Sequence, residues 1–142
     1  MSRKQARDIA FKVVYQYEFQ KDENIEKIIN DTIEGVSQEK EIKQAVLDYV
    51  FKVSIGIFEK NDDITQIIQN NLKKGWEIKR ISKLNIAILK IAIFELLYLK
   101  DEIPPKVAIN EALELIEKYG ELNEKPFING VLANVLKGEN KE

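Results

Sequence analysis

The sequence predicts an all-α fold of about seven helices, and three observations carry that expectation. Apolar residues recur at helical spacing along nearly the whole chain, while the alternation of a half-buried strand is almost absent. Six Gly and three Pro among 142 residues leave few breaks, so the regular elements are long. From Leu84 to Leu99, 13 of 16 residues are apolar, which marks a helix buried on every side.

Taken in order, Ala6, Ile9, Ala10, Val13, Val14 and Tyr17 form the apolar stripe of a first helix. Ile25, Ile28, Ile29 and Ile33 repeat the spacing in a second, expected to end near Gly35. Ile42, Ala45, Val46, Tyr49, Val50, Val53 and Ile57 give a longer third helix, broken at Asn61-Asp62-Asp63. Asp62 or Asp63 is placed to cap a short fourth helix carrying Ile64, Ile67, Ile68 and Leu72. Lys73 to Ser82 is the least regular stretch, and Gly75 is expected to end a helix there.

The 84–99 segment comes next. It is shorter than the ~18–20 residues of a membrane-spanning helix, and Lys90 and Glu95 interrupt it. Asn85, Lys90 and Glu95 lie five residues apart, each turned about 140° from the last, so each needs its own partner or route to water. Ile103-Pro104-Pro105 then opens a helix striped by Ala108, Ile109, Ala112, Leu113, Ile116 and Tyr119, with Gly120 as its C-cap. The last helix begins near Asn123 with Pro126 in its first turn, carries Phe127, Ile128, Val131, Leu132, Val135 and Leu136, and stops at Gly138.

Composition excludes much chemistry. With no cysteine there is no disulfide scaffold and no thiolate-ligated metal site; with no histidine, the commonest metal ligand and neutral-pH acid–base group is gone. Gly-rich phosphate loops, nucleophile elbows and metal-ligand spacings are also missing. Glu111 and Glu114 share a helix face, but an exposed surface pair is the better reading. No enzyme and no cofactor are expected, and a soluble protein of a reducing compartment fits best.

The net charge of −2 hides an uneven distribution. Arg3, Lys4, Arg7 and Lys12 stand against Asp8 alone, and Lys73, Lys74, Lys79, Arg80 and Lys83 against Glu77 alone. Lys21 to Asp48 holds eight acidic residues and four lysines. Arg3, Arg7, Phe11 and Tyr15, each four residues from the last, run along one edge of the first helix, with Lys4 beside Phe11. Cations for phosphates and rings for unpaired bases are what single-stranded RNA requires. Two of only three arginines sit in this row. The competing reading makes Phe11 and Tyr15 edge-of-core aromatics beside solubilising cations, and physical chemistry alone leaves the two even.

The opening SRKQARDIAFKVVYQ resembles the Arg-rich start of the NusB family of bacterial transcription antitermination factors. IAILKIAIFELL resembles that family's central helix, and IPPKVAINEALELIEKYG followed by FINGVL its C-terminal pattern. The resemblance covers essentially the whole chain. It implies two helical subdomains, about 1–72 and 73–138, packed around the long apolar helix within one domain over 1–142. It further implies binding of boxA-type single-stranded RNA from ribosomal RNA leaders together with ribosomal protein NusE, helping RNA polymerase to read through terminators in the cytoplasm.

By the same resemblance, Arg3, Lys4, Arg7, Tyr15, Lys90, Tyr119 and Phe127 are the implied RNA contacts. Lys4 and Lys90 stand where the family often has Arg, and Pro126 replaces a common basic residue. Asn85 occupies a position that is often acidic and is given no role. Asn110, Glu111, Asn129 and Gly130 read as architecture: buried amides satisfying backbone groups, and a glycine allowing close helix approach. Arg3 and Arg7 are expected to be exposed, and their row to lie beside Tyr119 and Phe127. The alternative from another class is a protein-interaction scaffold whose acidic middle engages a basic partner, with RNA contact incidental. Homodimerisation is not legible in periodicity and stays open.

Overall fold

The computed structural model describes the backbone of residues 2–140 and the side chains of residues 3–138. Seven α-helices and two short 3-10 turns form, and no strand occurs among the described residues. The chain divides into two compact units, Met1–Glu59 and Lys60–Glu142.

The first unit holds α1 (Ser2–Phe19), α2 (Ile25–Ser37) and α3 (Gln44–Glu59). Ala6, Ile9, Val13 and Tyr17 of α1, Ile25, Ile28 and Ile29 of α2, and Val46 and Val50 of α3 make its core. The Asn24 side chain starts α2 by accepting from the Glu26 and Lys27 N–H groups at 2.8 and 3.2 Å. Gly35 does not end this helix. It lies on the exposed side, where a glycine costs only about 1 kcal/mol, and α2 continues to Ser37.

Helix α1 is buried over a wider arc than its apolar stripe suggests. Arg7, Phe11 and Glu18 lie outside that stripe, yet with Val14 at its border they follow at i, i+4, i+7 and i+11, and all four are buried. A second buried row therefore runs beside the first, with a charged residue near each end. On α3, Ser54 is 1% exposed and its hydroxyl has no hydrogen-bond partner. An unsatisfied buried hydroxyl costs about 1–3 kcal/mol, so Ser54→Ala should stabilise the protein by roughly 1 kcal/mol. Thermal unfolding followed by circular dichroism checks this: a lower melting temperature would mean that the hydroxyl has a partner in solution.

The second unit begins earlier than the expected boundary at 72/73. Its first helix, α4 (Asn61–Asn70), packs on α5 (Lys83–Tyr98), and so belongs with the C-terminal helices. Only Lys60 separates α3 from α4, which leaves no room for the expected aspartate cap. Lys60 is the N-cap without a side-chain hydrogen bond, and Asp62 and Asp63 lie inside the first turn, favourable to the helix dipole. Ser82 caps α5 by accepting from the Asn85 N–H at 3.1 Å, and twelve consecutive residues, Asn85 to Leu96, are buried.

Helix α5 packs against α6 (Pro105–Tyr119) and α7 (Lys125–Asn140). Pro105 occupies the start of α6, where its missing N–H is no loss. Gly120 ends α6 as expected, but through close approach rather than a left-handed backbone: its φ is −118°, and a Cβ would come within 3.1 Å of Leu84 Cδ2. Helix α7 runs through Gly138 to Asn140 instead of stopping at the glycine.

Candidate nucleic-acid interface

The implied RNA contacts divide between the units. Arg3, Lys4, Arg7 and Tyr15 belong to α1; Lys90, Tyr119 and Phe127 belong to the second unit. Arg3 and Lys4 are exposed in the first turn of α1, which carries no acidic residue. Two cations there add to the positive end of the helix dipole. That arrangement weakens the helix slightly and makes the turn attractive to anions.

Arg7 departs from expectation. At 3% exposure it is buried, and its side chain is engaged within the protein, so it is not a solvent-facing phosphate contact. Phe11, 2% exposed, is a core residue as the competing reading held. The reason is the second buried row of α1, which a single-stripe reading places at the helix edge. Above it stands a ladder of rings. Phe11 stacks on half-buried Tyr15 with centroids 5.5 Å apart and planes 10° apart, and Tyr15 meets Phe19 edge-on at 5.1 Å. Phe19, 60% exposed, is the ring most open to solvent, and it continues the same four-residue spacing.

Lys90 is likewise no surface cation. It is 1% exposed, and its Nζ donates to Asn61 Oδ1 at 2.7 Å, tying the middle of α5 to the start of α4. The need for a partner was legible at this position; the partner, 29 residues upstream, was not. Tyr119 and Phe127, both half-buried, stand on either side of the turn from α6 to α7. Lys118 Nζ lies 5.2 Å from the Tyr119 ring centre. Asn110, Asn129 and Gly130 are exposed, and a Cβ on Gly130 would meet open space. Buried amides and close helix approach therefore do not explain these three.

Phe127 has a neighbour that sequence patterning missed. The Trp76 ring lies nearly parallel to it, with centroids 6.1 Å apart and planes 22° apart, and Trp76 is 50% exposed. Gly75, expected to end a helix, instead sits with φ +88° third in the turn Lys73-Lys74-Gly75-Trp76, closed by the Trp76 N–H donating to the Lys73 carbonyl at 2.9 Å. A positive φ at that position defines a type II turn and favours glycine. Gln69 clamps the backbone just beyond the turn: its Nε2 donates to the Trp76 carbonyl and its Oε1 accepts from the Ile78 N–H, both at 2.9 Å.

Among the described residues, no group of three or more acidic side chains could hold a metal ion. Nor is any helix there long and apolar enough to cross a membrane.

The NusB family profile matches residues 4–137. A transcription antitermination protein NusB of Acetivibrio thermocellus is 41% identical over 137 residues, which cover 96% of this chain and 90% of that protein. The crystal form of T. maritima NusB is 31% identical with a TM-score of 0.85, covering 95% of this chain and 90% of that one. A chain in the crystal structure of antitermination factors NusB and NusE in complex with dsRNA is 28% identical with a TM-score of 0.83, covering 96% and 97%.

Proposed function

The chain belongs to the NusB family, and on that footing we propose that it is a non-catalytic antitermination factor that binds RNA together with a NusE-type ribosomal protein. The observation that carries this reading is the full-length likeness to a chain crystallised with NusE and RNA. The chain's own residues support it: Arg3 and Lys4 exposed on the first turn of α1, with Tyr15, Phe19, Tyr119 and Phe127 offering at least partly accessible rings. In this proposal the RNA is a boxA-type single-stranded element. The pair acts in the cytoplasm within an RNA polymerase complex, favouring read-through of terminators.

Physical chemistry sets the working parts. Exposed Arg3 and Lys4 neutralise phosphates and release counterions, while ring faces stack on unpaired bases without demanding a particular sequence. Arg7 acts differently, by holding the helix that presents them. Fluorescence anisotropy of labelled boxA RNA, with and without NusE and at several salt concentrations, is the test. With about three to five phosphates neutralised, the slope of log affinity on log salt should be roughly −2 to −3.5. Arg3→Ala with Lys4→Ala should flatten that slope by about 1.4 while leaving the melting temperature unchanged. A flat salt response in the unaltered protein, or no gain from boxA RNA over NusE alone, would leave a protein scaffold as the function.

A further inference from the structure

From the groove beside Trp76 and Phe127 we infer a nucleobase site: it receives an unpaired base of the bound RNA, stacked on Trp76, with Lys73 at the adjoining phosphate. This rests on the RNA-binding reading above and adds Trp76 and Lys73 to the residues that carry it. The groove measures about 320 Å³, at the lower end of the ~300–1,000 Å³ typical of small-ligand sites. Leu72, Trp76, Phe127 and Val131 make it largely apolar, and Lys73 and Asn134 bring an ammonium and an amide to it. Gly130 also lines it, and its missing side chain leaves the space open.

Two features choose a base over an aliphatic protein side chain. The Trp76 indole is half exposed although Phe127 lies against it, so an aromatic surface is held out in water by the Gly75 turn and the Gln69 clamp. Exposed tryptophan surface is costly to leave wet, and base stacking is one way of covering it. The local charge is also one-sided. Five cations between Lys73 and Lys83 face the single carboxylate of Glu77, which is itself ion-paired to Lys79 at 3.2 Å. Lys73 at the edge of an aromatic floor, within a basic stretch of chain, matches a nucleotide, whose base is flat and apolar-faced and whose backbone is anionic.

Trp76 is the only tryptophan in the chain, so the unaltered protein reports on its own groove. Titration with boxA-type single-stranded RNA should change the tryptophan emission in step with the anisotropy of labelled RNA. Trp76→Ala should weaken RNA binding about 5- to 100-fold, the loss of one base–aromatic stack, while Trp76→Phe should keep most of the affinity. Lys73→Gln, at an exposed position, should flatten the salt slope by about 0.7. RNA bound at unchanged tryptophan emission, with Trp76→Ala and Lys73→Gln binding like the parent, would overturn the groove and leave the RNA-binding function standing. Emission that responds to NusE but not to RNA would make the groove a protein site and overturn the assignment equally. Absence of any RNA binding would remove both readings together.

Discussion

Arg7→Ala should lower the melting temperature by about 10 °C, whereas Arg3→Ala, four residues earlier on the same helix, should leave it in place. Arg3 is exposed; Arg7 is 3% exposed and engaged within the protein. Truncating a buried, partnered guanidinium removes its packed aliphatic stem and leaves the groups around it short of a charge, a loss of about 3 kcal/mol. For a chain of this length about 3 °C accompanies each kcal/mol. Differential scanning calorimetry of both variants decides the matter. RNA affinity measured well below both transitions separates the roles: Arg3→Ala should bind less tightly although fully folded. If Arg7→Ala melts like the parent, its burial does not persist in solution, and it returns to the exposed row with Arg3.

The second large effect is expected at Lys90. Lys90→Ala empties the space of a long side chain inside an apolar helix and deletes the donor to Asn61 Oδ1, 2.7 Å away. About 3–5 kcal/mol should be lost, equivalent to roughly 10–15 °C in melting temperature. Lys90→Met keeps the length and discards the charge, and should recover most of that loss. Asn61 is only half-buried, so water can reach the freed amide oxygen. Urea unfolding of the parent, Lys90→Met, Asn61→Ala and the variant carrying both substitutions completes a double-mutant cycle for the pair. RNA binding by Lys90→Met should stay within about twofold of the parent, because an ammonium 1% exposed has no surface from which to reach phosphate. A fully folded Lys90→Met that has lost RNA would place Lys90 at the RNA after all.

These two residues also mark how far the sequence could be read. Helix existence was legible almost throughout, since each stripe is local and a window of some fifteen residues contains its whole signal. Burial of α5 was equally plain, because thirteen apolar residues out of sixteen leave no polar side to turn outward. Helix ends were less so. Gly35 and Gly138 are glycines within helices, and the α4 start depended on α3 and α4 being separated by the single residue Lys60, which no propensity records.

The candidate site was legible only in part, for a related reason. Arg3 and Lys4 stand at the surface as their spacing suggests. Arg7 looks identical to them in sequence, yet a second buried row claims it, and rows of that kind depend on neighbours far away in the chain. Lys90 invited the same error with a better warning, since a lone lysine in an apolar helix demands a partner. Trp76 gave no periodic signal at all. It lies in the least regular stretch, where a glycine turn rather than a helix face sets its position, and only the folded chain brings its ring to Phe127.

The twelve-residue buried run of α5 has a consequence during synthesis. Residues 83–98 leave the ribosome before α6 and α7, which pack against them. At ~5–20 residues per second, the nascent chain spends some seconds with only α4 available to cover its greasiest segment. During that interval exposed apolar surface favours misassociation, a hazard that ends when α6 and α7 dock.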